Sequence, residues 1–201
     1  MVVFFDDAGK RVADDSENVV LLPHPVLPHS RGEIVLDSAD PTAQPAIRMN
    51  YYDDPRDMQV MVAAIRRAMD IASHWPGNRR PGPVMIPPFL AEKHGYREGD
   101  VPSDALLEEF ALHFSLTVYH PTSTCRIGSV VDPCLKVRGV GGLRVADASV
   151  MPAVIAGNTN APTIMIGEKA AEMIAAEHGV RLAEFVGDRQ IAMRVVALPP
   201  A

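Results

Sequence analysis

Cysteine is scarce: Cys125 and Cys134 are the only two in 201 residues. Their spacing matches neither a zinc-ligand pattern nor a Cys-x-x-Cys redox pair, so both read as reduced structural thiols. No run approaches the ~18 uninterrupted apolar residues that a membrane-spanning helix needs. The start, Met1-Val2-Val3-Phe4-Phe5-Asp6-Asp7, lacks the basic flank and long apolar stretch of a secretory signal. The expectation is a soluble cytoplasmic protein with no membrane partner. Basic residues are outnumbered, 19 against 25 acidic, which leaves a formal charge of −6 and a pI of about 5.6. With no basic cluster to track phosphates, nucleic acid is excluded as a partner. Also missing are a Gly-x-Ser-x-Gly elbow, a Gly-x-x-x-x-Gly-Lys loop and a His-Glu-x-x-His pair. Serine hydrolase, P-loop and zincin chemistry fall with them.

What is present is an ordinary globular composition, 47% hydrophobic and 22% charged, enough to build a core. Proline is abundant, 18 residues spread along the chain, which points to long ordered loops between short elements. Residues 34–36 and 46–49 are short strand candidates separated by the turn-prone Asp37-Ser38-Ala39-Asp40-Pro41. A helix is expected after Asp54, an N-cap followed by Pro55 at the first helical position. Its stripe is Met58, Met61, Ile65, Met69 and Ala72, and Trp75-Pro76-Gly77 ends it. Residues 76–102, rich in Pro and Gly, read as a loop, and 104–113 as a second helix with Leu106, Leu107, Phe110 and Phe114 inward. Gly139-Val140-Gly141-Gly142 reads as a turn before a strand at 143–146, because it lacks the third glycine of a dinucleotide loop. The last helix, about 161–178, buries Ile166, Ala170, Met173 and Ile174, exposes Glu168, Lys169, Glu172 and Glu177, and stops at Gly179. The polar stretch before it, Gly157 to Thr163, offers backbone donors that could hold an anion.

The chemistry concentrates between Tyr119 and Thr163. Four blocks follow one another there. They are Tyr119-His120-Pro121-Thr122-Ser123-Thr124-Cys125-Arg126-Ile127-Gly128, Val131-Asp132-Pro133, Gly142-Leu143-Arg144-Val145-Ala146-Asp147-Ala148-Ser149-Val150-Met151-Pro152, and Gly157-Asn158-Thr159-Asn160-Ala161-Pro162-Thr163. In this order they resemble the C-terminal region of the glucose-methanol-choline (GMC) oxidoreductases, FAD-dependent alcohol oxidases and dehydrogenases. Ser30-Arg31-Gly32 and Asn50-Tyr51 extend the likeness, which spans roughly residues 20–178.

The resemblance implies a reaction in which an alcohol loses its hydroxyl proton to a base while a hydride leaves carbon for the flavin. Imidazole suits that task, with an ordinary pKa near 6.5. The family's histidine in the His-Pro-x-Gly-Thr-Cys block falls on His120, and its second polar partner, His or Asn, falls on Asn160. An amide there cannot be a base, but it can hold the alcohol oxygen by a hydrogen bond. Asp147 and Ala148 match the Asp-Ala-Ser block that lines the FAD chain, and Asn160, Ala161 and Pro162 would lie by the flavin at a positive helix end. On its residues alone Asn160 is also a helix N-cap and Asp147 a turn residue. His24, His29, His74, His94, His113 and His178 read as ordinary polar groups.

Two positions depart from the pattern: Ser123 stands where Gly is usual, and Ile127 where Met is common. If position 123 needs a positive φ, serine costs stability there. The 201 residues also hold no Gly-x-Gly-x-x-Gly, the family's site for the ADP half of FAD. The expected fold is α+β. An antiparallel sheet with packed helices forms a substrate-binding part (1–115), and a strand-helix segment carrying His120 and Asn160 (116–179) belongs with an absent FAD-binding domain or chain. Residues 180–201 read as a tail. The expected substrate is a small alcohol; the alternative is an inactive fragment or binding module that holds no flavin.

Overall fold

Asp54 starts the first helix by the two devices the sequence offers. Its carboxylate accepts the Arg56 N–H at 3.0 Å, and Pro55 follows at the first helical position. The computed structural model describes residues 21–75 and 84–182; the N-terminal 1–20, the 76–83 part of the expected loop and the tail from 183 lie outside the described residues. Two strands, β1 (Glu33–Val35) and β2 (Ala46–Arg48), pair as a small antiparallel sheet. Four helices follow, α1 (Pro55–Ser73), α2 (Pro88–His94), α3 (Asp104–Phe114) and α4 (Asn160–Glu177). The α+β class is the observed one. Among the described residues, no helix is long and apolar enough to cross a membrane.

The chain divides into two compact units, one taking in the described residues up to Gly32 and Ile47–Leu116, the other Glu33–Ala46 and the described residues from Thr117. In the first, α1 packs on α3. Its core is Val62, Leu106 and Leu107, flanked by Met58, Ile65, Ile86, Tyr96 and Phe110. Leu106 and Leu107 are each 1% exposed, which contributes about 1.5–3 kcal/mol per side chain. The expected stripe of α1 is only partly the buried one: Met61 and Val62 are buried and Met69 and Ala72 are half-buried. Asp57 is buried as well, because its two carboxylate oxygens accept the backbone N–H groups of His29 and Ser30, both at 2.7 Å. Ser30 returns the contact, its hydroxyl accepting the Asp54 N–H at 3.0 Å.

Helix α2 corrects the expectation of a continuous loop over 76–102. Pro88 occupies its first turn, where a missing N–H is harmless. Gly95 at φ +63° takes the left-handed stop, with the Tyr96 N–H reaching back to the Ala91 carbonyl at 2.8 Å. Between them Leu90 is fully buried, and the packing of α2 on α3 holds seven residues helical that would be marginal alone.

The second unit is mostly turns wrapped on α4. Asp132 organises one of them, its Oδ1 accepting the N–H groups of Cys134 and Lys136 at 2.8 and 2.9 Å. The core comprises Val131, Leu135, Val150, Met151, Ile166 and Ala170, with Met173 against it. The strand expected over 143–146 does not form: Arg144 makes an isolated bridge with Lys136, and the Val145 N–H donates to the Leu135 carbonyl, so the ladder never extends. Ile174, expected inside, is 41% exposed, and Ala175 takes its place on the buried face. Glu177, expected as a solvated carboxylate, is ion-paired with Arg144 and with Lys136, the latter at 3.0 Å. Gly179 ends α4 at φ +63°. The Val180 N–H then donates to the Ala175 carbonyl, closing the left-handed cap.

Candidate active site

Two backbone bonds bring the first block to the third. The N–H of Cys125 donates to the Ser149 carbonyl and that of Ile127 to the Val150 carbonyl, both at 2.9 Å. Residues 148–150 form a single 3-10 turn capped by Asp147, whose Oδ1 accepts the Ser149 N–H at 2.8 Å. Val150 of this turn is fully buried, and the turn packs on α4. The chain thereby sets His120 beside the start of α4. Cys125 and Cys134 are both free thiols, half-buried and exposed respectively.

His120 is half-buried and contacted through both ring nitrogens. Nδ1 lies 2.9 Å from the hydroxyl of Thr159, and Nε2 lies 3.5 Å from Nδ2 of Asn158. Of the residues singled out in the sequence, His120 and the 158–160 segment are thus brought together, and the side chains that reach the ring are those of Asn158 and Thr159, whereas the resemblance pointed to Asn160. Asn160 is exposed and enters the site through its backbone, its N–H donating to Oδ1 of Asn158 at 2.9 Å. Asn158 and Thr159 are the residues that sequence reasoning passed over. The available signal was the Asn-x-Asn spacing, since an asparagine side chain readily accepts the N–H two residues on.

The first turn of α4 is electrostatically open. It carries no acidic residue, and the N-cap Thr159 makes no side-chain cap bond. Pro162 has no N–H, the Asn160 N–H is taken by Asn158 and the Thr163 N–H by the Thr159 carbonyl at 3.0 Å. The Ala161 N–H is left without an acceptor among the described residues, at a helix end whose dipole favours negative charge. Ala161 is exposed and Pro162 half-buried, while Asp147 is exposed and Ala148 sits against the core. This donor set fits an anionic edge of a ring cofactor; Asp147 has a carboxylate oxygen to spare for a polar chain.

Position 123 adopts φ +75°, the left-handed region that suits glycine and not serine. The serine keeps the turn, and its hydroxyl lies 3.0 Å from that of Thr122.

The chain is 44% identical over 159 residues to an alcohol dehydrogenase (acceptor) of Pseudomonas putida, covering 74% of this chain and 26% of the relative. It is 40% identical over 154 residues to an oxygen-dependent choline dehydrogenase of Sinorhizobium fredii, again 74% of this chain and 26% of the relative. Among solved structures, a formate oxidase of Aspergillus oryzae superposes with a TM-score of 0.60 at 34% identity over 76% of this chain and 26% of that one. The chain therefore spans about a quarter of the length of the curated relatives it matches. A family model described as GMC oxidoreductase matches residues 28–167, the stretch that carries His120 and the start of α4. With most of its length inside that match, the chain belongs to the GMC oxidoreductase family.

Proposed function

We propose that this chain carries the substrate-facing half of an FAD-dependent active site that oxidises the CH–OH group of a small alcohol. The observation that carries the reading is the His120 ring, held between Asn158 and Thr159 where α4 begins. When bound, FAD supplies the acceptor for the hydride that leaves the carbinol carbon. The chain's own residues handle the proton and the oxygen. His120 takes the hydroxyl proton at Nε2, the alcohol becomes a carbonyl compound, and the Asn158 amide beside that nitrogen holds the oxygen as negative charge develops on it.

The open first turn of α4 would hold the flavin, with Asn160, Ala161 and Pro162 beside it. Asp147 and Ala148 would line the cofactor chain. Because these 201 residues hold no Gly-x-Gly-x-x-Gly, a companion FAD-binding domain or chain would supply the grip on the ADP half. Relatives named for alcohol and choline support an alcohol as substrate.

The test is flavin retention followed by reduction. The chain, alone and joined to a region bearing that glycine motif, is incubated with FAD, desalted and mixed anaerobically with a panel of alcohols. The joined protein is expected to keep a flavin spectrum and lose it on adding one of the alcohols. A joined protein that keeps FAD and is bleached by none would mark the chain as an inactive relative.

A further inference from the structure

We propose that Thr159 is the positioning residue that sets the tautomer of His120, placing the ring proton on Nδ1 so that Nε2 presents the lone pair. The functional meaning of this rests on His120 being the base.

The tautomer follows from donors and acceptors taken in order. The backbone N–H of Asn160 can only donate, so the atom of Asn158 lying 2.9 Å from it is the amide oxygen. The other end of that amide, Nδ2, therefore faces His120 at 3.5 Å. An amide NH2 group donates and does not accept, so Nε2 must offer a lone pair. A neutral imidazole then has its one N–H at Nδ1, and the Thr159 hydroxyl oxygen, 2.9 Å away, accepts it.

Thr159 is suited to this by what it does not do. A threonine at an N-cap ordinarily accepts an N–H from the second or third helical residue. Here the third is Pro162, which has no N–H, and the Thr159 side chain makes no cap bond at all. Yet Thr159 is 7% exposed, one of only two buried polar residues among those described. Its hydroxyl is diverted from the helix to the histidine. Without it Nδ1 would lose its acceptor, and only the Asn158 amide, 3.5 Å from Nε2, would still oppose a proton on that nitrogen, where the ring could no longer receive one.

The test reads the tautomer directly, on the 15N-labelled chain with neither FAD nor substrate. Long-range 1H–15N correlation of the histidine rings is recorded at a pH where they are neutral, and His120 is assigned by its disappearance in His120→Gln. Wild type is expected to show a protonated Nδ1 and an unprotonated Nε2. Thr159→Ser should keep that pattern, and Thr159→Val should move the proton wholly or partly to Nε2, with the other six histidines unchanged as the check on folding. A wild-type ring protonated at Nε2, a Thr159→Ser ring that loses the pattern, or a folded Thr159→Val with wild-type shifts would each overturn the proposal. If Thr159→Val does not fold, the wild-type and serine spectra still decide. Whether His120 is the base is judged separately, by turnover of His120→Ala, so the two readings fail independently.

Discussion

Asn160 orients Asn158: the backbone N–H of the one donates to the side-chain oxygen of the other at 2.9 Å, turning the amide nitrogen toward His120. Since the orienting group is backbone, it survives substitution of the Asn160 side chain. Asn160→Ala is expected to keep kcat/KM within a few-fold, and Asn158→Ala to lower it by ~10²-fold, the scale of one lost oxyanion donor. Steady-state alcohol oxidation by the FAD-loaded protein ranks the two. The reverse ranking would return the oxygen-holding role to Asn160.

Ser123 sits at φ +75°, where an L side chain costs about 1–2 kcal/mol. Glycine relieves that cost but enters with a more flexible unfolded chain, worth about 0.4–1 kcal/mol in the other direction. Ser123→Gly is therefore expected to raise stability by roughly 0.5 kcal/mol. Urea unfolding measures it; a lower midpoint would show that the hydroxyl contact with Thr122 outweighs the strain.

Asp57 ties the 29–30 segment to the first turn of α1. Burial by itself would raise its carboxyl, but the His29 amide together with the Ser30 side chain and amide outweighs burial and holds it below the ordinary carboxylate value. Asp57→Asn turns an amide NH2 toward one of those donors and leaves an N–H unsatisfied, a loss of about 1–3 kcal/mol. Chemical denaturation should show that loss, and an unchanged midpoint would mean that water replaces the carboxylate.

The Glu177 carboxylate is held down to about 2, from an ordinary 4.5, by hydrogen bonds from Arg144 first and Lys136 second. A depressed acid stabilises the fold when ionised, so its contribution is full above about 4.5 and disappears as pH falls through about 2. Thermal unfolding of wild type and Glu177→Gln should differ by a constant amount near neutrality and converge in strong acid. A difference that grows on acidification would contradict the ion pairing.

Much of this was legible in the sequence because it is set by local chemistry. Asp54 with Pro55 and Gly179 mark where α1 begins and α4 ends through rules that act within one turn, and all three behave as read. Helix α2 was hidden by its surroundings: the proline before it and Gly95 after it are as much helix boundaries as loop residues, and only the burial of Leu90 decides between them. The strand at 143–146 failed for the opposite reason, since a local apolar pattern found no partner to extend its single bridge. At the site, His120 and Asn160 stood out through the resemblance of their blocks, but a resemblance of blocks does not say which side chain of the turn faces the ring. That choice is made by one turn, in which Asn158 folds back to accept the Asn160 N–H.

The central claim is that His120 removes the alcohol proton. Its most direct measurement is the anaerobic rate of alcohol-dependent flavin bleaching in the FAD-loaded protein, wild type against His120→Ala. A fall of ~10²-fold or more is expected, with flavin still bound. Equal rates in the two proteins would contradict it.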